Sequence, residues 1–139
     1  DAYDRVLVDA PCSGLGALRR RPEARWRKDP KDIPGLAKLQ RQLLASAFKA
    51  LRPGGALVYS TCSPVLAETR DVVRDFLAAH GRAKLLDAGE VANRVAIRDV
   101  SARDGMVQLW ADADRTDGMF IVLIAKKSDA EAAADSTTS

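Results

Sequence analysis

An α/β domain on a mostly parallel sheet is the fold class that three observations predict. Val6-Leu7-Val8 and Ala56-Leu57-Val58-Tyr59 are short runs without a polar residue, which suits strands buried on both faces. Between them, Leu36, Leu39, Leu43, Leu44, Ala47 and Leu51 recur at helical spacing. The order strand–helix–strand then requires a right-handed crossover and parallel neighbours.

The other elements follow in order. Pro11, Gly14 and Gly16 break the first strand, and a basic loop with Pro22, Pro30 and Pro34 comes next. Pro53-Gly54-Gly55 is expected to stop the first helix. Ser63 is placed as the N-cap of a second helix, with Pro64 at its first position. Val65, Val72, Val73, Phe76 and Leu77 form its inner face, and Gly81 closes it. Ala83 to Leu86 suits a third strand, while Val95-Ala96-Ile97 and Met106 to Leu109 suggest short strands. Met119 to Ala125 is a strong strand that follows a loop rather than a helix, so it is expected to run antiparallel. Lys126 and Lys127 read as solvated. Residues 128–139, all Ala, Ser, Thr, Asp and Glu, read as a disordered tail.

Composition sets limits. The chain has 139 residues, 47% hydrophobic and 29% charged, which is enough to build one core. No apolar run approaches the roughly 18 residues of a membrane span, and no signal-like start is present, so a cytoplasmic, membrane-free protein is expected. Two cysteines, Cys12 and Cys62, and one histidine, His80, make neither a disulfide scaffold nor a metal site. The net charge is +3, yet the stretch from Arg19 to Asp32 alone is +4, with seven cations against three anions. With Trp26 inside it, this segment suits phosphate contacts and base stacking, or else a solvated loop.

The first strand begins almost at the N-terminus and lacks a Gly-x-Gly-x-x-Gly turn, since Gly14-Leu15-Gly16 leads into a Pro-broken loop. The expectation is the second half of a larger α/β domain. The open edge of its first strand would then be available for self-association.

Ligands of open parallel sheets bind beyond the carboxyl ends of the strands. Two strands end there in Asp9-Ala10-Pro11-Cys12-Ser13-Gly14 and Ser60-Thr61-Cys62-Ser63-Pro64, so both cysteines fall on one sheet edge. Cys62 just ahead of a helix N-terminus would be favoured as thiolate; alternatively both cysteines are small buried hydrophobes. Asp9 is available for hydrogen bonding or proton donation, or caps its turn.

These two segments resemble the signature motifs of the Sun (Fmu) family of RNA 5-methylcytosine methyltransferases. Leu18 to Trp26 is similar to the basic segment that follows the first motif, and Asp117-Gly118-Met119-Phe120 to the opening of the last strand. The resemblance runs from about Tyr3 to Lys127. The family often has Pro-His ahead of its Asp-Gly motif, where this chain has Ala111-Asp112.

The resemblance implies that residues 1–127 are the C-terminal part of a Rossmann-like catalytic domain dependent on S-adenosylmethionine, a bacterial 16S rRNA enzyme being the member most resembled. It also implies roles. Cys62 is the nucleophile that adds to C6 of cytosine, Cys12 assists product release, and Asp9 contacts base and cofactor. Arg19, Arg20, Arg21 and Arg25 become candidates for RNA contacts, and Trp26 for base stacking or, preferably, packing of the loop. Most of the cofactor site would lie upstream, leaving the chain inactive alone. A noncatalytic RNA-binding module is the alternative. A thiol hydrolase would need a histidine near the cysteines, and His80 sits at the far end of a helix.

Overall fold

The computed structural model describes residues 2–138; Asp1 and Ser139, the outer limits of the expected catalytic portion and tail, lie outside the described residues. Strand β1 (Tyr3–Asp9) is followed by three short 3-10 turns over the basic loop, then helix α1 (Ile33–Ala50) and strand β2 (Leu51–Thr61). Helix α2 (Arg70–Ala79), strand β3 (Ala83–Leu86) and the short helix α3 (Ala88–Asn93) come next. Strands β4 (Ala102–Arg103), β5 (Met106–Gln108) and β6 (Phe120–Lys126) and helix α4 (Asp129–Ser136) complete the described order.

One mixed sheet carries all six strands, in the order β1-β2-β6-β5-β4 with β3 on β6. β1 and β2 pair in parallel, Val6 against Leu57 and Val8 against Tyr59. β2 and β6 are antiparallel, as the loop before the last strand required. From the pairings, β1, β2, β3 and β5 run one way and β4 and β6 the other. The opposite edge of β6 is shared, Leu123–Lys126 facing β3 and Phe120–Ile121 facing β5.

The core lies under one sheet face. Phe120, Val122 and Ile124 alternate inward along β6 and meet Leu57 and Tyr59 of β2. Against them pack Leu44 and Phe48 of α1 and Val72, Val73 and Phe76 of α2. The other face is only half covered. Leu7, expected inside, is 68% exposed, because it alternates onto the sheet face opposite Val6 and Val8, which pack with the core.

Several expectations are corrected. Pro53-Gly54-Gly55 does not end α1: the helix stops at Ala50, and Leu51 turns extended (ψ 131°) to open β2. The triplet instead makes a bulge, since β1 advances from Tyr3 to Arg5 while β2 advances from Leu51 to Ala56. Gly54 there has φ +78°, a conformation glycine adopts without strain. The inner line of α1 is Ala37, Gln40, Leu44 and Phe48, which leaves Leu39 and Leu43 40% and 37% exposed. Lys126 is buried, not solvated. Its ammonium donates to Leu51 O (2.7 Å) and Phe48 O (3.3 Å) where α1 hands over to β2, adding a second donor to Phe48 O, which already accepts from the Leu51 N–H.

Val95 and Ile97 are exposed loop residues rather than a strand, at 85% and 102% of the reference area. Where the tail composition suggested disorder, α4 forms, started by a capping box between Ser128 and Glu131. No helix among the described residues is long and apolar enough to cross a membrane.

Candidate active site

The ends of β1 and β2 are adjacent because the strands are parallel neighbours, Asp9 pairing with Ser60 at the last rung. The Ala10 N–H still bonds to Ser60 O (2.9 Å), so the two chains leave the sheet together. Two residues further on in each segment, the Cys12 and Cys62 sulfurs are 3.1 Å apart. Both are free thiols and half-buried.

The predicted helix start behind Cys62 is absent. Ser63 Oγ accepts from the Val65 N–H (3.1 Å) in a local turn, Val65 is extended, and α2 begins only at Arg70. A helix N-terminus therefore does not act on the Cys62 sulfur.

What holds the two loops instead is Glu68, which is fully buried. Its Oε1 accepts from the Ser13 N–H (2.7 Å) and from Gln40 Nε2 (3.2 Å). Its Oε2 accepts from Ser13 Oγ (2.7 Å) and Ser63 Oγ (2.6 Å). Four donors thus satisfy a carboxylate that would otherwise be costly to bury. Gln40 also donates to Pro11 O (2.9 Å), and Tyr59 OH donates to Glu68 O (2.9 Å). Sequence reasoning missed Glu68 and Gln40. The available signal was a polar residue at an inward position of each apolar segment.

A second brace is backbone on backbone. The Gly16 N–H donates to Cys62 O (2.9 Å), and Gly16 O accepts from the Gly118 N–H (2.7 Å). Asp117, beside Gly118, pairs with Arg20, whose Nε lies 2.7 Å from its Oδ2. Arg20 is thereby tied to the last-strand loop, while Arg19, Arg21 and Arg25 are exposed. Trp26 is 85% exposed, so it does not pack the loop.

A cavity of about 650 Å³ opens beside Cys12, between the basic loop and the start of α1. Leu36 and Leu39 give it an apolar wall, and Arg25, Arg27 and Lys28, with Asp29 and Asp32 among them, a charged one. Asp9 stands exposed at the end of β1, with one long contact from Ser60 Oγ (3.4 Å). His80 is remote from this cleft in function as well as in sequence: its Nδ1 is engaged with Phe76 O (2.9 Å) and its ring stacks on Phe76. That removes the base a thiol hydrolase would use. No metal-binding cluster of three or more His, Cys, Asp or Glu is found among the described residues.

Burial first, and then the hydrogen bond to Cys62, pushes the Cys12 thiol up to about 12. Cys12 therefore keeps its proton at neutral pH and can offer it to the neighbouring sulfur. The unfolded thiol ionises near 9.0, so between the two values the folded chain holds more protons, and stability falls as pH rises through that window. Alkylation of Cys12 by iodoacetamide at pH 8, followed by peptide mass spectrometry, is expected to be much slower than for an unfolded control. Equal rates would contradict it.

The sequence profile described as "16S rRNA methyltransferase RsmB/F" matches residues 1–125. The chain belongs to the RsmB/F methyltransferase family. It is 52% identical over 121 residues to a Mycobacterium tuberculosis protein with a provisional methyltransferase name, covering 85% of this chain and 25% of that protein. It is 37% identical over 126 residues to ribosomal RNA small subunit methyltransferase B of Shewanella oneidensis, covering 91% and 28%. The chain thus spans about a quarter of the length of these relatives. Among solved structures, PH0851 superposes with a TM-score of 0.80 at 35% identity, covering 89% of this chain and 27% of that one. NSun6 from Pyrococcus horikoshii, solved with SFG, gives 0.74 at 30% identity, covering 92% and 31%. The mixed sheet is accordingly that of a Rossmann-like methyltransferase. As an RsmB/F family member, the chain contributes its two cysteine-bearing strand ends, its basic loop and its last, antiparallel strand.

Proposed function

We propose that this chain is the base-handling part of an enzyme that methylates C5 of a cytosine in RNA, small-subunit rRNA being the expected substrate. The observation that carries the reading is the contact of two free thiols at adjacent strand ends beside an exposed carboxylate. Relatives named as small-subunit rRNA methyltransferases support the substrate class. A structural neighbour solved with SFG, an analogue of S-adenosylmethionine, supports the methyl donor.

C5 of cytosine is too poor a nucleophile to be methylated directly. Cys62 adds through its sulfur to C6, and the ring electrons move towards C5, making it enamine-like. Asp9, with free acceptor capacity at the end of β1, hydrogen-bonds the ring as charge develops. S-adenosylmethionine, when bound, supplies an electrophilic methyl group. Of the residues expected to face it, this chain provides Asp9, whose exposed carboxylate fits a polar ligand. The C5 proton then passes to solvent, the C5–H electron pair forms the C5–C6 double bond, and the Cys62–C6 bond breaks with its pair returning to sulfur, which restores the ring and Cys62 as thiolate. Cys12, which keeps its proton, assists that release.

A base must leave its stack to reach a sulfur above its ring plane, so an unpaired or flipped cytosine is expected. The cavity beside Cys12 is lined by neither Cys62 nor Asp9, so it suits a stretch of RNA flanking the base, with Arg25, Arg27 and Lys28 available to phosphates beside the acidic Asp29 and Asp32. Trp26 is 85% exposed, which leaves its ring available for stacking.

The test is transfer of a labelled methyl group from S-adenosylmethionine to unmodified small-subunit rRNA, with nucleoside mass spectrometry. The full-length protein should yield 5-methylcytidine, and this chain alone none. A different methylated nucleoside, or product formed by the chain alone, would contradict the reading.

A further inference from the structure

Glu68 is the one fully buried acid among the described residues, and nothing in the chemistry above uses it. Its hydrogen bonds are unequal between the two loops. Ser13, next to Cys12, gives it both a backbone N–H and a hydroxyl at 2.7 Å each. Ser63, next to Cys62, gives it a hydroxyl only, at 2.6 Å. The Cys62 loop has a further anchor in Thr61, which is still in β2 and paired with Phe120, whereas the Gly16 N–H to Cys62 O bond ties the two loops to each other and favours neither. The Cys12 loop lies beyond the last β1–β2 rung at Asp9 and turns at Gly14, which has φ +71°. Gln40 joins the same knot, reaching Glu68 and Pro11 O from α1.

We propose that Glu68 is a positioning residue, holding the Cys12 loop in register with Cys62 so that release of the methylated base follows its formation. This rests on the methyltransferase reading above, in which Cys12 serves release. Glu68 touches neither sulfur. It acts through Ser13, which follows Cys12 in the chain, and a truncated side chain would leave the Ser13 N–H and the Gln40 amide without their buried acceptor.

The consequence is specific. Loss of Glu68 should free the Cys12 loop more than the Cys62 loop and so reproduce the effect of removing Cys12. In the full-length protein, Glu68→Ala is expected to accumulate covalent RNA–protein complex although Cys12 is intact, with lower kcat and unchanged KM for RNA. A merely structural residue would lower the amount of active protein without trapping the adduct. In parallel, Cys12 should be alkylated by iodoacetamide roughly tenfold faster in the folded variant, as expected from losing a buried hydrogen-bond anchor. That second readout does not depend on the reaction. If Cys12→Ser itself traps no complex while alkylation still rises, the cytosine reading fails and the positioning by Glu68 stands. If Glu68→Ala does not fold, Ser13→Ala, which removes one of the two Ser13 bonds, decides. It should show a smaller rise in both alkylation and trapped complex. Unchanged alkylation and full turnover without adduct, in whichever variant folds, would overturn the proposal.

Discussion

Changing Cys62 to serine in the full-length protein is expected to abolish methyl transfer, by on the order of a thousandfold or more, as loss of a covalent nucleophile does. A hydroxyl fills the same space but is a far weaker nucleophile towards C6, so RNA affinity and thermal stability should barely change. The paired variant Cys12→Ser should behave differently. Its nucleophile is intact, so the adduct forms, but release fails, and a covalent RNA complex resistant to denaturant should appear on gels. The two outcomes separate roles for sulfurs only 3.1 Å apart. They also oppose the noncatalytic RNA-binding alternative, in which both serine variants would bind RNA as before and no adduct would form. Transfer assays and denaturing gels on the same preparations check both.

Gly16→Ala is expected to be the most damaging substitution to the architecture of the site. A Cβ at that position would lie 1.9 Å from Gly118 O, 2.8 Å from Gly118 C and 2.9 Å from Cys62 O. All three are backbone atoms, so no side chain can swing aside. To accept the methyl group, the Cys12 loop must part from both the Cys62 loop and the Asp117–Gly118 loop. The hydrogen bonds Gly16 makes to Cys62 and Gly118 would go with it. Overpacking of this severity costs about 3 kcal/mol or more. At typical urea slopes, that lowers the unfolding midpoint by roughly 1–3 M. Gly35→Ala is the control, since nothing lies within 4 Å of its would-be Cβ inside α1, and it should be neutral or slightly stabilising. Urea unfolding followed by circular dichroism checks both, and an unshifted midpoint for Gly16→Ala would contradict the described packing.

Much of this was legible in the residues. Val6-Leu7-Val8 and Ala56 to Tyr59 do pair in parallel, and their ends do bring Cys12 and Cys62 together, because strand order and crossover handedness leave little choice. The antiparallel last strand was readable from the missing helix before it. What the sequence concealed was tertiary. Ser63-Pro64 has the local form of a helix start, yet Ser63 gives its hydroxyl to Glu68, and α2 is delayed to Arg70. Gln40 lies outside the apolar positions read for α1, yet it is an inward residue, and its Leu39 neighbour lines the cavity. Lys126 ends an apolar strand and reads as its solvated end until the Leu51 and Phe48 carbonyls at the α1–β2 junction come into view. In the tail, composition alone does not signal the helix that the Ser128–Glu131 capping box starts.

The central claim is that Cys62, and not Cys12, attacks the base. It is tested most directly by isolating the covalent complex of full-length Cys12→Ser with its rRNA substrate, digesting protein and RNA, and mapping the modified residue by tandem mass spectrometry. The account predicts a cytidine adduct on Cys62. The absence of any adduct, or its attachment at another residue, would contradict it.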